Sequence, residues 1–356
     1  MAVEQHIRFC TAPDGVRLAY ATSGKGPALV RAPHWLTHLE FDWRSPVHRP
    51  WLEGLNRDHL LVRFDPRGCG LSERDVADVS FETWVQDLEA VVDAAGLERF
   101  ILFGASQGGP IAVDYAVRHP GRVAKLVLHG AYARGRLVRA STPRDEEEAE
   151  TFLHLARVGW GTDNAAFRRV FAMLFLPEAT PEQARWFDDL SRVSTDGDMV
   201  ARMLAMLHRI DVRPLAPRVS TPTLVTHARG DSRIPFEEGR LLASLIPGAQ
   251  LVPLETRNHI LLPSDPAFAA FFTALREFLG GELPQAGPVG GELTGREREI
   301  LELIAQGLAN ARISERLGIS PNTLRNHITS IFGKLGAGTR AEAIVKARDG
   351  GFGRGR

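Results

Sequence analysis

The sequence predicts an α/β domain built on a mostly parallel sheet with a helical lid, followed by a small all-α domain. Three observations predict it. Short apolar, β-branched runs alternate with amphipathic segments through the first 280 residues. Between about residues 136 and 215 that rhythm breaks, and helical patterns follow one another without a strand. Beyond a Gly/Pro-rich stretch only helical signals remain. At 356 residues the chain exceeds one comfortable hydrophobic core, which fits two units.

The strand-like runs are Val16–Ala21, Ala28–Ala32, His59–Phe64, Arg99–Phe103, Val123–Leu128, Thr223–His227 and Leu251–Leu254. Most are continuously apolar, as in strands covered on both faces. Between them, Phe81–Leu97 places Trp84, Leu88, Val91, Val92 and Ala95 on one helical stripe; Phe268–Leu279 is a second such pattern. Strand alternating with helix means a parallel sheet with right-handed crossovers. The helices of about 136–215 then lie over the carboxyl edge of the sheet as a lid. From Gly280 to Gly291, five Gly and two Pro in twelve residues cannot continue helix or strand. The expected division is residues 1–281, a linker at 282–291, and residues 292–356.

Composition narrows the class. Hydrophobic residues make up 44% and charged residues 24%, an ordinary globular balance that excludes disordered and collagen-like chains. No apolar run approaches the roughly 18 residues of a membrane span, and the amino-terminal residues carry no basic segment followed by an apolar one. A cytoplasmic protein without a membrane partner is expected. Cys10 and Cys69 are too few for a disulfide framework or a zinc site, so neither metal nor cofactor is expected. The charges balance at 43 against 43, yet residues 291–356 carry 11 Lys and Arg against 7 Asp and Glu. A basic tail on a mildly acidic body is a weak pointer to a polyanion.

Chemistry enters at Gly104-Ala105-Ser106-Gln107-Gly108. A buried-strand pattern runs directly into this Gly-x-Ser-x-Gly, and a helix pattern follows. A serine oxygen is a poor nucleophile unless it is held out of the fold beside a base, which a strained strand-to-helix turn achieves. The first amide of the helix, that of Gln107, can then stabilise an oxyanion. Given the glycine content, the motif alone would arise by chance roughly one time in seven, so its flanking strand and helix carry the weight. Two further residues complete the order nucleophile, acid, base. Asp231 follows the Thr223–His227 run, and His259 follows the Leu251–Leu254 run. All three would sit at carboxyl ends of strands, where α/β sheets place their chemistry. In that arrangement His259 takes the Ser106 proton and Asp231 fixes the His259 tautomer.

On these residues the first 280 positions resemble the α/β-hydrolase fold. Asp65-Pro66-Arg67-Gly68-Cys69-Gly70-Leu71-Ser72 is similar to the D-x-R-G-x-G-x-S loop of its esterase, epoxide hydrolase and haloperoxidase-like branches. The resemblance implies hydrolysis or related acyl chemistry without a metal. That family usually carries His-Gly after the strand corresponding to Ala28–Ala32, with a second oxyanion amide just beyond. Here His34-Trp35-Leu36 stands there, which leaves Trp35 or Leu36 as the second donor and puts a bulky side chain where the family has none.

The carboxyl-terminal part is equally legible. Thr294 followed by Glu297 forms a capping box before the stripe Ile300, Leu303 and Ile304. Asn310 is placed to cap a short helix ending at Leu317, Gly318 turns the chain, and Ser320-Pro321 starts another helix. In that third helix Leu324, Ile328, Ile331, Phe332 and Leu335 form the buried stripe. Asn322, Asn326, Thr329, Ser330 and Gly333 lie opposite, with Arg325 on the flank. Amides, hydroxyls and an Arg suit base edges and phosphates in a major groove; Lys334 and Arg340 would add charge against the backbone. Two short helices joined at a Gly turn are the helix–turn–helix arrangement.

From Leu293 to about Gly351 the chain closely resembles the LuxR-type DNA-binding domain. The matching segments are Leu-Thr-x-Arg-Glu-x-Glu at 293–299, Leu317-Gly318-Ile319-Ser320-x-x-Thr323-Leu324-Arg325 and Lys334-Leu335-Gly336. The resemblance implies that Thr323 and Arg325 contact phosphate, that Asn326 and Thr329 face bases, and that the protein binds double-stranded DNA as a homodimer. Ala311 stands where that family often has Glu. The expectation is a transcriptional regulator whose hydrolase-like domain binds a small molecule, with or without hydrolysing it. A working esterase- or lactonase-like serine hydrolase with subsidiary DNA binding is the alternative, and an inert dimerisation scaffold the third reading.

Overall fold

The computed structural model describes residues 4–34, 36–160, 162, 165–280, 293–319, 321–335, 337 and 340–353. Eight strands form one sheet: β1 (Gln5–Thr11), β2 (Arg17–Gly24), β3 (Ala28–Arg31), β4 (Leu60–Phe64), β5 (Phe100–Ala105), β6 (Val123–His129), β7 (Thr223–Ala228) and β8 (Gln250–Leu254). Their order is β1-β2-β4-β3-β5-β6-β7-β8. β2 runs antiparallel to both β1 and β4, and every other pairing is parallel. All seven sequence-derived strands appear within a few residues of their expected bounds.

β1 was not expected. It is an edge strand with a largely accessible, polar-interrupted face, so it lacks the continuous apolar run that marks its neighbours.

The strands are buried on both faces because their side chains alternate between two cores. Val30, Val62, Leu102, Leu126 and Leu128 join the larger core. It is completed by α3 (Phe81–Ala94), α4 (Gly108–Arg118) and α10 (Phe236–Leu245). The next residues along the strands, Leu29, Leu61, Ile101, Phe103 and Val127, face the other way. There they meet α2 (His48–Asn56) and α11 (Pro266–Leu279), through Trp51, Leu55, Phe271 and Phe272. A short α1 (Leu39–Trp43) precedes α2.

Among the described residues, five α-helices and no strand run between β6 and β7: α5 (Arg136–Arg139), α6 (Pro143–Gly159), α7 (Ala165–Phe175), α8 (Pro181–Ser194) and α9 (Gly197–Leu207). Thr142 and Thr180 open α6 and α8 with capping boxes and a following proline, the strongest local start signal a helix has. Phe152, Trp160, Phe171, Phe175, Trp186 and Met203 are buried, whereas Met173 is exposed.

The carboxyl-terminal unit is four helices: α12 (Gly295–Ala305), α13 (Asn310–Leu317), α14 (Pro321–Leu335) and α15 (Arg340–Asp349). Ile300, Leu303, Ile304, Ile313, Leu324, Ile328 and Ile331 form its core. The capping box of Thr294 and Glu297 is present, and Gly318 takes φ +63° at the turn.

One cap differs from expectation. Ala309 occupies the N-cap of α13, and Asn310 is its first helical residue. The Asn310 side-chain oxygen accepts instead from Arg340 Nη1 at 2.7 Å. α14 lies against α3, and the Arg296 amide donates to Glu98 Oε1 at 3.1 Å.

Candidate active site

Ser106 follows β5 directly and is the one non-glycine residue with positive φ among the described residues, at +51°. Left-handed backbone is costly for a residue with a Cβ, so the turn must be held from outside. The Ser106 amide donates to the His129 carbonyl at 2.8 Å, and the Ser106 carbonyl accepts from Gly109 at 3.0 Å. The flanking glycines are steric necessities. A Cβ on Gly104 would meet the Gly108 carbonyl oxygen at 2.7 Å, and one on Gly108 would meet the Pro33 carbonyl oxygen at 2.9 Å. Strand β3 and helix α4 therefore pass closely enough to aim the serine at the sheet's carboxyl edge.

Asp231 and His259 reach the same point from the loops after β7 and β8. His259 Nε2 lies 2.8 Å from Ser106 Oγ, and His259 Nδ1 lies 2.7 Å from Asp231 Oδ2. The sequence-derived trio thus converges in space. The other Asp231 oxygen accepts the amides of Arg233 and Ile234, at 2.8 and 2.9 Å. Burial alone would raise the Asp231 pKa, but the charge and hydrogen bond of His259, with His227 and the Ile234 amide, hold it below the usual carboxylate value. The imidazole of His259 is buried, with Phe175 edge-on at 5.6 Å. The His259 and Ile260 amides both donate to the Phe175 carbonyl, at 3.0 and 3.1 Å, so the end of α7 fixes this loop.

Gln107 sits at the N-cap of α4, where a helix leaves its amides without intrahelical partners. Leu36 lines the cavity in front of Ser106; Trp35 lies outside the described residues. That cavity is walled by Trp51, Phe103, Phe175, Phe187 and Ile260. Among its lining residues, Arg31, His48 and His129 were missed by sequence reasoning. None belongs to a motif, and each is delivered by tertiary packing. His129 is held neutral, its pKa pushed down to about 3 chiefly by burial. Among the described residues no cluster of His, Cys, Asp or Glu could hold a metal ion.

The Asp65–Ser72 loop is fixed by its own side chains and ties β2, α1 and α3 together. Asp65 Oδ2 accepts the Leu39 and Leu71 amides at 3.1 and 2.9 Å. Ser72 Oγ donates to the Asp65 carbonyl and accepts the Ala19 amide. Arg67 grips Asp87 with two hydrogen bonds of 2.8 and 2.6 Å.

In the carboxyl-terminal unit, Asn322, Thr323, Arg325, Asn326 and Thr329 all belong to α14. The side chains of Asn322, Arg325, Asn326 and Thr329 lie outside the described ones. Two predicted DNA-contacting cations are engaged within the protein. Lys334 Nζ lies 2.6 Å from the buried carboxylate of Glu297, and Arg340 binds Asn310 and the Leu308 carbonyl. His327 is buried, as expected of a structural residue.

A parallel sheet with a serine elbow, a helical insertion and a histidine after its last strand defines the α/β-hydrolase class. The family model for the alpha/beta hydrolase fold matches residues 40–266, and the chain belongs to that family. Residues 291–347 match the model for bacterial regulatory proteins, luxR family. Among curated relatives, the AB hydrolase superfamily protein YisY of Bacillus subtilis is 28% identical over 250 residues, covering 69% of this chain and 90% of that protein. The pyrrolizixenacetamide deacetylase of Xenorhabdus hominickii is 27% identical, covering 75% of this chain and 96% of that protein. A hydrolase from Pseudomonas aeruginosa superposes with a TM-score of 0.64 at 25% identity, over 78% of this chain and 99% of its own. An esterase from Exiguobacterium antarcticum gives 0.66 at 23% identity, over 77% and 99%, a likeness of fold. No helix among the described residues is long and apolar enough to cross a membrane.

Proposed function

We propose that this chain is a DNA-binding transcriptional regulator whose α/β-hydrolase domain binds a small molecule and hydrolyses an acyl bond in it. One observation carries the reading: an unbroken hydrogen-bond chain from Ser106 through His259 to Asp231, opening on a largely apolar cavity. It belongs to a chain that also carries a luxR-type domain.

The chemistry follows from the geometry. His259 Nε2 removes the Ser106 proton as Oγ attacks the acyl carbon, and Asp231 stabilises the imidazolium that results. The oxyanion is held by the Gln107 amide and by one amide of the Trp35-Leu36 pair. His259 then returns the proton to the leaving group, and water resolves the acyl-enzyme by the same steps in reverse roles. Esters, lactones and amides all fit this scheme, and the name of the Xenorhabdus relative supports amide or ester cleavage. The carboxyl-terminal domain would read DNA as a homodimer through α14, since two-fold half-sites are the usual arrangement of helix–turn–helix proteins.

A fluorophosphonate probe tests the hydrolase part. It should label the wild type and leave Ser106→Ala unlabelled; a wild type that stays unlabelled removes the acyl chemistry. Gel shifts on genomic fragments test the DNA part. Asn326→Ala should lose about 1–3 kcal/mol of discrimination between sites, while Arg325→Ala should weaken all sites and lower the salt dependence. The absence of any shifted fragment at low salt would remove the regulator.

A further inference from the structure

The Ser106 cavity holds a cation that the acyl chemistry does not use. Arg31 ends β3, pairs in register with Phe103 of β5, and lines the cavity with it. Among the described residues the one hydrogen bond of its guanidinium runs from Nη2 to His34 Nε2, at 2.6 Å. Its Nε is buried and has no partner. An imidazole nitrogen accepts a hydrogen bond without cancelling the charge. Burial, and then the charge of Arg31 itself, keeps His34 well below its ordinary pKa and neutral.

The carboxylate whose charge acts on Arg31, that of Asp42, is shared with two other groups, and its Oδ2 accepts no hydrogen bond. His48 Nδ1 holds it at 3.1 Å and Arg63 at 3.6 Å. Burial lowers the Arg31 pKa to about 10, which leaves the guanidinium fully charged at neutral pH.

Buried Arg63 and Arg233 also leave Nε without a hydrogen-bond partner, but neither lines the Ser106 cavity. Arg63 donates to Gln5 and to the Leu39 carbonyl, and Arg67 is forked onto Asp87. Arg233 lies over the rings of Phe152 and Phe175, at 4.8 and 5.5 Å. Arg31 combines a place in the cavity wall with unused donor capacity.

We propose that Arg31 receives a carboxylate of the substrate, so that the cavity takes an acyl compound bearing a carboxylate at the end remote from the scissile bond. This rests on the hydrolase reading above and names its substrate class. A guanidinium fork matches a carboxylate geometrically and in charge. A single buried cation neutralises a monoanion, whereas a phosphate dianion would leave one charge buried and uncompensated. Leu36, Trp51, Phe187 and Ile260 supply an apolar wall for the spacer between carboxylate and acyl carbon. Arg31 selects the substrate and takes no part in bond breaking.

The test compares two esters of equal chain length on the full-length protein: p-nitrophenyl hexanoate and the mono-p-nitrophenyl ester of adipic acid. The wild type should favour the adipate ester in kcat/KM. Arg31→Met should lower the adipate-to-hexanoate ratio by about 10- to 100-fold, and Arg31→Lys should restore part of it. A ratio unchanged in Arg31→Met overturns the proposal. Should that variant fail to fold, the wild type still decides. Monomethyl adipate should protect Ser106 from fluorophosphonate labelling at concentrations where methyl hexanoate does not, and equal protection overturns the proposal.

Failure of the hydrolase reading is separately visible as a wild type that never labels. In that case monomethyl adipate should still raise the melting temperature of the wild type and of Ser106→Ala, but not that of Arg31→Met. The same rise in all three proteins, or in none, rejects Arg31 as the receptor.

Discussion

Lys334 at the end of α14 places its ammonium 2.6 Å from Glu297 Oε2, the oxygen that also accepts the Thr294 amide at 2.8 Å. Both side chains are nearly inaccessible, at 9% and 0%. The capping box that starts α12 is therefore tied electrostatically to the helix proposed to read DNA. Removing one partner of a buried pair strands the other charge, at a cost of about 3–5 kcal/mol. Lys334→Ala should lower the unfolding free energy of the carboxyl-terminal transition by that amount, read as a lower denaturant midpoint. A lysine serving only DNA phosphate would behave oppositely: stability would hold, and the salt slope of binding would fall by about one. Denaturant melts followed by gel shifts at several salt concentrations separate the two outcomes.

Arg67 presents a similar choice at the hydrolase domain. Its fork binds the inaccessible carboxylate of Asp87, and Nη1 reaches the more exposed Asp14 at 2.6 Å. Arg67→Ala leaves Asp87 buried and unpaired, so a loss of about 3–5 kcal/mol is expected. Asp14→Ala removes a partly solvated partner and should cost about 1 kcal/mol or less. Equilibrium unfolding of both variants checks the order, and equal losses would contradict it.

The legibility of the sequence followed the range of the interactions. The Ser106 turn, the strand ends bearing Asp231 and His259, and the Thr294 capping box were readable because each is fixed by a short segment with one physical demand. Continuous apolar runs announced the strands of the sheet interior, and their absence hid β1, whose pairing with β2 is an edge contact. The pairing of Lys334 with Glu297 was not readable, because helical periodicity places a side chain on a face but says nothing of a carboxylate waiting on another helix. Arg31 and His48 were invisible for the same reason. Their common environment exists only after α2 packs beside β3 and the lid closes over both.

Asp231 offers a measurement in which sign matters. Its pKa lies below the ordinary 3.8 in the folded protein, because the His259 contact and the Ile234 amide outweigh burial. A depressed folded pKa stabilises the fold above the unfolded value, and the contribution is lost as pH falls through the folded one. The stability difference between wild type and Asp231→Asn should therefore be constant from neutral pH to about pH 5 and shrink below about pH 4. Activity should respond differently. The asparagine variant releases the His259 tautomer, and turnover should fall about 10⁴-fold at every pH where the wild type works. Unfolding curves across pH test the first expectation and single-turnover labelling of Ser106 the second. A stability difference that grows on acidification would mean that Asp231 is held by burial as a neutral acid, and its proposed role beside His259 would fall with that result.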